Sequence, residues 1–165
     1  MKFLLFCLTL FCSFVAFAET ESDIRPIGHY SGWRVYTATE NGQKICFMAA
    51  SPLHSSPKRE NTYLMISRRP SEKEYNVITV MAGADYSDKF VPTFGVDNKK
   101  VFPMFTQKNT AFIKETEDEK TLINQMVDGN IARTVGKSKR GTALKDSYSL
   151  KGFTKALDAI IETCP

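Results

Sequence analysis

Beyond its first 18 residues the chain has only two cysteines, Cys46 and Cys164, and they bracket most of the remaining length. Those 18 residues, MKFLLFCLTLFCSFVAFA, have the three parts of an export signal. Lys2 supplies the positive start and residues 3–15 are almost wholly apolar. Ala16 and Ala18 are the small residues that set cleavage before Glu19. The apolar run is shorter than the ~20 residues a spanning helix needs. Neither Phe6-Cys7 nor Phe11-Cys12 supplies the small residue that lipoprotein processing requires before a cysteine. A periplasmic or secreted domain with two cysteines has one possible internal bridge, Cys46 to Cys164. Closing so long a loop would stabilise the fold by roughly 4–5 kcal/mol. The alternative is a pair of buried free thiols. No C-x-x-C is present for thiol-redox catalysis.

Cleavage would leave 147 residues, enough for one domain with a substantial core. Residues 19–28 are polar and read as a flexible lead-in, and residues 29–165 read as a single domain. With Lys2 set aside, 21 Lys and Arg face 18 Asp and Glu, a net charge near +3. The basic pairs are dispersed, as on a solvated surface, and give no ground for a nucleic-acid partner. No segment after the leader is long and apolar enough to span a membrane.

Alternation and turn chemistry predict an antiparallel, mainly β domain of seven to nine strands, either a sandwich or barrel-like. Residues 33–39 (WRVYTAT) put Trp33, Val35 and Thr37 on one face. Asn41-Gly42 then signals a hairpin into residues 45–50, where Cys46 and Met48 face one way and Ile45 and Phe47 the other. Residues 51–61 hold two prolines and three serines and read as an exposed loop. Further strands are expected over 62–68, 76–82, 89–96, 100–106, 111–114, 130–135 and 142–148, with a turn at Asp97-Asn98. A helix is expected over 115–127, with Leu122, Ile123, Met126 and Val127 at helical spacing and Gly129 just past its end. The last 16 residues carry an apolar stripe of Leu150, Phe153, Leu157, Ile160, Ile161 and Cys164, with Ser149 as a candidate cap. This amphipathic C-terminal helix would bring Cys164 to the early strand that holds Cys46.

Chemistry is harder to find. His29 and His54 fall in predicted loops without metal-ligand spacing, so no metal or cofactor is expected. No nucleophile elbow occurs. Gly136-Lys137-Ser138 matches only the end of a phosphate-binding loop, because position 131 is Ile where that motif needs glycine. Glu115, Glu117, Asp118 and Glu119 suit a helix N-terminus, and a glycosidase pair among them is the competing reading. The aromatic residues on strand-like runs read as core, with a stacked ligand groove as the alternative. The turn containing Gly136, Lys137, Ser138, Lys139, Arg140 and Gly141 is the candidate anion or partner-binding site: glycines let backbone N–H groups converge, and three cations surround them. A tight basic turn without a ligand is its plainer reading.

The order Gly32-Trp33, Ile45-Cys46, Ala50-Ser51-Pro52, Arg68-Arg69-Pro70 and Ala82-Gly83 is followed by the block from Asp146 to Phe153 (DSYSLKGF) and then Cys164. This pattern resembles the invasion-associated locus B family of exported α-proteobacterial proteins across about residues 28–165. The D-x-Y-S-L-x-G-F block is its most specific part. The first half of the pattern is less specific, and some relatives carry a further cysteine that residues 35–39 lack. The resemblance implies a periplasmic or surface-associated, mainly β protein with no agreed enzymatic activity. The family is named for a member linked to host-cell entry, and the resemblance gives Trp33, Gly152 and Cys164 structural roles, with Phe153 beside them. The expected function is therefore a non-enzymatic envelope or host-surface binding protein. The alternatives are a hydrolase inhibitor acting through residues 51–61, or a small periplasmic ligand-binding protein or glycosidase.

Overall fold

The computed structural model describes residues 23–165; the expected leader and its cleavage site lie outside the described residues. In chain order, β1 (Arg25–Tyr30), β2 (Trp33–Glu40), β3 (Gln43–Ala50), β4 (His54–Ser56), β5 (Thr62–Arg69), β6 (Glu74–Ala82), β7 (Thr93–Val96), β8 (Val101–Gln107) and β9 (Thr110–Ile113) precede α1 (Thr116–Val127). Then β10 (Ile131–Lys137) and β11 (Ala143–Ser149) lead to α2 (Phe153–Thr163). All strands join one antiparallel sheet in the order β1-β2-β3-β5-β6-β9-β8-β7-β10-β11-β4. The sheet is open, with β1 and β4 at its edges, and is not a closed barrel. β8 links its two wings: Val101–Pro103 pair with β7, while Met104–Gln107 pair with β9.

Alternation predicts the central strands well. Trp33, Val35, Cys46 and Met48 are fully buried on one face, and Thr37 is half-buried opposite Cys46. Phe94, Val96, Phe102 and Tyr148 complete the core from the other wing. The Asn41-Gly42 hairpin turn forms with both residues at positive φ, the backbone such a tight turn requires.

Two strands exceed the expected nine, and both are edges. The lead-in expected over 19–28 gives way at Arg25 to β1, whose bulge between Pro26 and Gly28 hides any alternation. Within the expected loop 51–61, the three polar residues of β4 pair with β11. His29 and His54 accordingly lie on these strands and not in loops, and both are exposed. In the other direction, the strand expected from 89 begins only at Thr93, after Pro92, which has no N–H to give a ladder.

Both helices cover open flanks of the core. α1 buries Leu122, Ile123 and Met126, while Val127 is 39% exposed. α2 packs on β1, β2, β3 and β5 and starts later than the sequence suggests, because Gly152 occupies its N-cap. Ser149 instead accepts the Lys151 N–H in the turn before it. Leu150, Phe153, Leu157, Ile160 and Cys164 are buried, whereas Ile161 lies at the edge of the stripe.

The disulfide joins Cys46 to Cys164 across 118 residues, with Cα atoms 6.0 Å apart. Two cations hold the same helix end. Lys44 donates to the Thr163 carbonyl at 2.9 Å, and the buried Arg68 donates through Nε to the Cys164 carbonyl at 2.7 Å. Positive charge at a helix C-terminus satisfies its unpaired carbonyls and opposes its dipole.

Candidate functional site: a basic cleft above a buried ion pair

The candidate turn connects β10 to β11, with Gly136 and Lys137 still inside β10. A Cβ at Gly136 would lie 2.6 Å from the Tyr86 ring, so glycine is needed there to seat that buried phenol. Most of the turn's backbone donors are spent internally. Ser138 N–H donates to Thr142 O, Gly141 N–H to Ser138 O, Lys139 N–H to Asp85 O, and Thr142 N–H to Ser138 Oγ. The chemistry this turn offers to a partner therefore comes from its side chains.

Those side chains border a cleft of about 490 Å³, whose other walls are Pro57, Arg59 and residues 83–85. Lys139 reaches Asp85 at 3.4 Å, with both groups about half exposed. Arg140 and Lys137 are exposed. Of the sequence-predicted residues, Ser138, Lys139 and Arg140 line this cleft, with Arg59 and Asp85 from distant segments; Gly136, Lys137 and Gly141 do not line it.

Arg59 is the residue the sequence did not reveal. Its Nη2 donates to both Asp146 oxygens, at 2.6 and 2.7 Å; Nε donates to Ala82 O and Nη1 to Pro57 O. The side chains of Arg59 and Asp146 are only 8% and 1% exposed. Ser55 Oγ also donates to Asp146 at 2.6 Å, and the buried Thr134 hydroxyl lies 3.5 Å from it. One guanidinium nitrogen reaches both carboxylate oxygens, a hydroxyl lies at each oxygen, and the other guanidinium nitrogens meet carbonyls, the pairing and hydrogen bonding under which a buried ion pair is tolerated. The signal was present in β11: Leu144, Asp146 and Tyr148 share its buried face, and a carboxylate there needs a cation. Burial, reinforced by the Asp146 charge, pushes the Tyr86 and Tyr148 phenols far above the normal range. Both stay neutral.

The acidic cluster does not converge. Glu115 lies 3.6 Å from Lys114, Glu117 pairs with Lys120 at 2.7 Å, and Asp118 pairs with Lys100 at 3.0 Å. Glu119 Oε1 accepts the Ile78 N–H at 2.7 Å. β9 pairs with β6 only from Thr79 onward, so Glu119 caps the edge that β9 leaves free. Burial raises its carboxyl pKa, partly offset by that hydrogen bond. Among the described residues no group of three or more His, Cys, Asp or Glu is placed to hold a metal. No helix among them is long and apolar enough to cross a membrane.

The family model for the invasion associated locus B (IalB) protein matches residues 33–161, most of the chain. The chain belongs to the IalB family. No curated protein and no solved structure matches it.

The block that carried the resemblance to IalB proteins acts here as a joint between the two wings. Asp146 holds Arg59, Tyr148 and Leu150 fill the core, and the Ser149 carbonyl accepts the Trp33 indole N–H at 3.0 Å. Gly152, at φ 85°, sits where a Cβ would be 2.4 Å from the Tyr30 carbonyl. Phe153 packs edge-on against Trp33 with ring centroids 5.1 Å apart. Trp33 on β2 is thereby tied to the β11–α2 connection, and the most family-specific residues of this IalB chain are occupied in architecture.

Proposed function

We propose that this protein is an exported, non-enzymatic member of the IalB family that binds a protein partner at the cell envelope or a host surface. The observation that carries this reading is where its ionisable groups are spent. The buried carboxylate Asp146 is taken up by Arg59 and Ser55, and the half-buried Glu119 caps a strand edge. The cysteines close the fold as a disulfide, the bond expected of an oxidising compartment. At the cleft, Arg140 is exposed and Lys139 is half exposed beside Asp85, with Lys137 exposed on the adjoining strand, basic groups suited to an acidic surface on a partner.

A photo-cross-linking residue at Arg140, in cells fractionated into cytoplasm, periplasm and envelope, tests the reading. The expected result is a discrete adduct in the exported fractions, lost in Lys139→Glu, and absent when the cross-linker sits at Lys155 on α2. A cytoplasmic location, or equal labelling from Arg140 and Lys155, refutes it. Turnover of an envelope-derived substrate that is lost in a folded Asp146→Asn variant refutes its non-enzymatic half.

A further inference from the structure

A second concavity lies elsewhere. A groove of about 1230 Å³ runs from the outer face of β5, β6, β8 and β9 to the start of α1. Cross-strand register places Met65 beside Thr79, Thr79 beside Phe112, and Phe112 beside Phe105. This is the face opposite the core; Met65, Phe112 and Phe105 make its floor apolar around the buried Thr79, and charged side chains rim it.

Two exposed aromatic rings in the groove are held in place. Phe105, 48% exposed, stacks on Phe112 with centroids 5.1 Å apart and planes at 24°. Tyr75, 47% exposed, carries the buried Arg68 guanidinium 4.8 Å from its ring centre. Arg68 is itself fixed by the Cys164 carbonyl and Asn76 Oδ1. Ordered, exposed aromatic rings lose little conformational entropy when a ligand stacks on them.

The charges around the groove select the ligand. Four carboxylates and four cations line it, so its formal charge is zero. Arg69 lies between Glu40 at 3.7 Å and Glu74 at 3.5 Å. A groove neutralised in this way has no net attraction for a polyanion or polycation, yet it is rich in charged hydrogen-bonding groups. Nor is it a ready site for strand addition, because Glu119 already occupies the free Ile78 N–H on the β6 edge. A ligand with apolar C–H faces for the rings, hydroxyls for the charged rim and no net charge satisfies all three conditions.

We infer that the groove is a binding site for a neutral oligosaccharide. Its volume exceeds the roughly 300–1,000 Å³ of a small-molecule pocket, which favours several sugar units over one. The inference does not depend on the basic cleft, and it gives the protein a second ligand of different chemistry.

The test is titration of the disulfide-intact protein with cellohexaose, maltoheptaose and chitohexaose, monitored by backbone amide NMR shifts and calorimetry. Polygalacturonate and a neutral unstructured peptide serve as comparison ligands. At least one neutral hexamer or heptamer is expected to bind with sub-millimolar Kd and to shift amides near Tyr75, Phe105 and Phe112. Phe105→Ala and Tyr75→Ala should each weaken it at least tenfold, Phe105→Trp should retain it, and Arg140→Ala should leave it unchanged. Unaltered amide spectra away from each substitution establish that the variants are folded. The inference is overturned if no neutral saccharide binds at millimolar concentration, if polygalacturonate or the peptide binds as well, or if the shifts map to the cleft at Arg140.

Discussion

Removing one member of the Arg59–Asp146 pair should be among the most damaging single changes in this protein. In Asp146→Leu the guanidinium loses both its charge-assisted bonds, at 2.6 and 2.7 Å, while its side chain stays only 8% exposed. In Arg59→Met the carboxylate, 1% exposed, keeps only neutral hydroxyl partners, Ser55 and Thr134. Stranding a buried charge costs about 3–5 kcal/mol, a large part of the roughly 5–15 kcal/mol that holds a domain together. The double variant strands no charge and puts apolar groups in the same space, so it should be less destabilised than the two losses summed. Urea unfolding of the four proteins at pH 7, with the disulfide intact, gives the coupling. A coupling of at least ~1.5 kcal/mol is expected for a close charge pair. Losses that add within about 0.5 kcal/mol would mean the two groups do not act as a pair and would refute the reasoning. The loss should also have a location: Arg59 and Ser55 pin residues 51–61 to β11, so limited proteolysis of either single variant should cut first within that segment.

Three further outcomes are expected. Replacing Cys46 and Cys164 by alanine removes closure of a loop spanning 118 residues, which should cost about 5 kcal/mol and lower Tm by roughly 10 °C or more, read by calorimetry; an unchanged Tm would show that Lys44 and Arg68 alone hold the helix end. Gly152→Ala brings a Cβ within 2.4 Å of the Tyr30 carbonyl at a left-handed φ, and should destabilise by at least about 1–3 kcal/mol, whereas Gly42→Ala, with open space around it, should cost less. Because burial raises the Glu119 carboxyl, the folded protein holds a proton that the unfolded chain gives up; the resulting stability is present below the ordinary value of 4.5 and lost as pH rises through the raised one. Glu119→Gln should flatten that decline in a pH series of urea midpoints, and an unchanged slope would sink the assignment.

Several of these features could be read from the chain alone, because their signals are local or obligatory. Period-two burial around Trp33 and Cys46, the Asn41-Gly42 turn and the apolar stripe ending in Cys164 are short-range patterns that packing had no reason to override. The two cysteines beyond residue 18 leave one pairing between them, and the structure forms it. The edge strands escaped notice for the converse reason. An edge is specified by what lies beside it, so three polar residues at His54–Ser56 become a strand only because β11 is there to pair with them.

Local patterns account for the sheet-rich body, its closing bridge and the helix that carries Cys164 back to the sheet, since alternation and helical spacing belong to single elements and two cysteines beyond residue 18 allow one pairing. Which charges are buried and which rings face outward depends on contacts between distant segments. Arg59 meets Asp146 across 87 residues, and Glu119 reaches Ile78 across 41, so neither pairing leaves a mark at any fixed spacing. Burial strengthens such polar contacts and makes their loss costly, and burial is set by the whole chain at once.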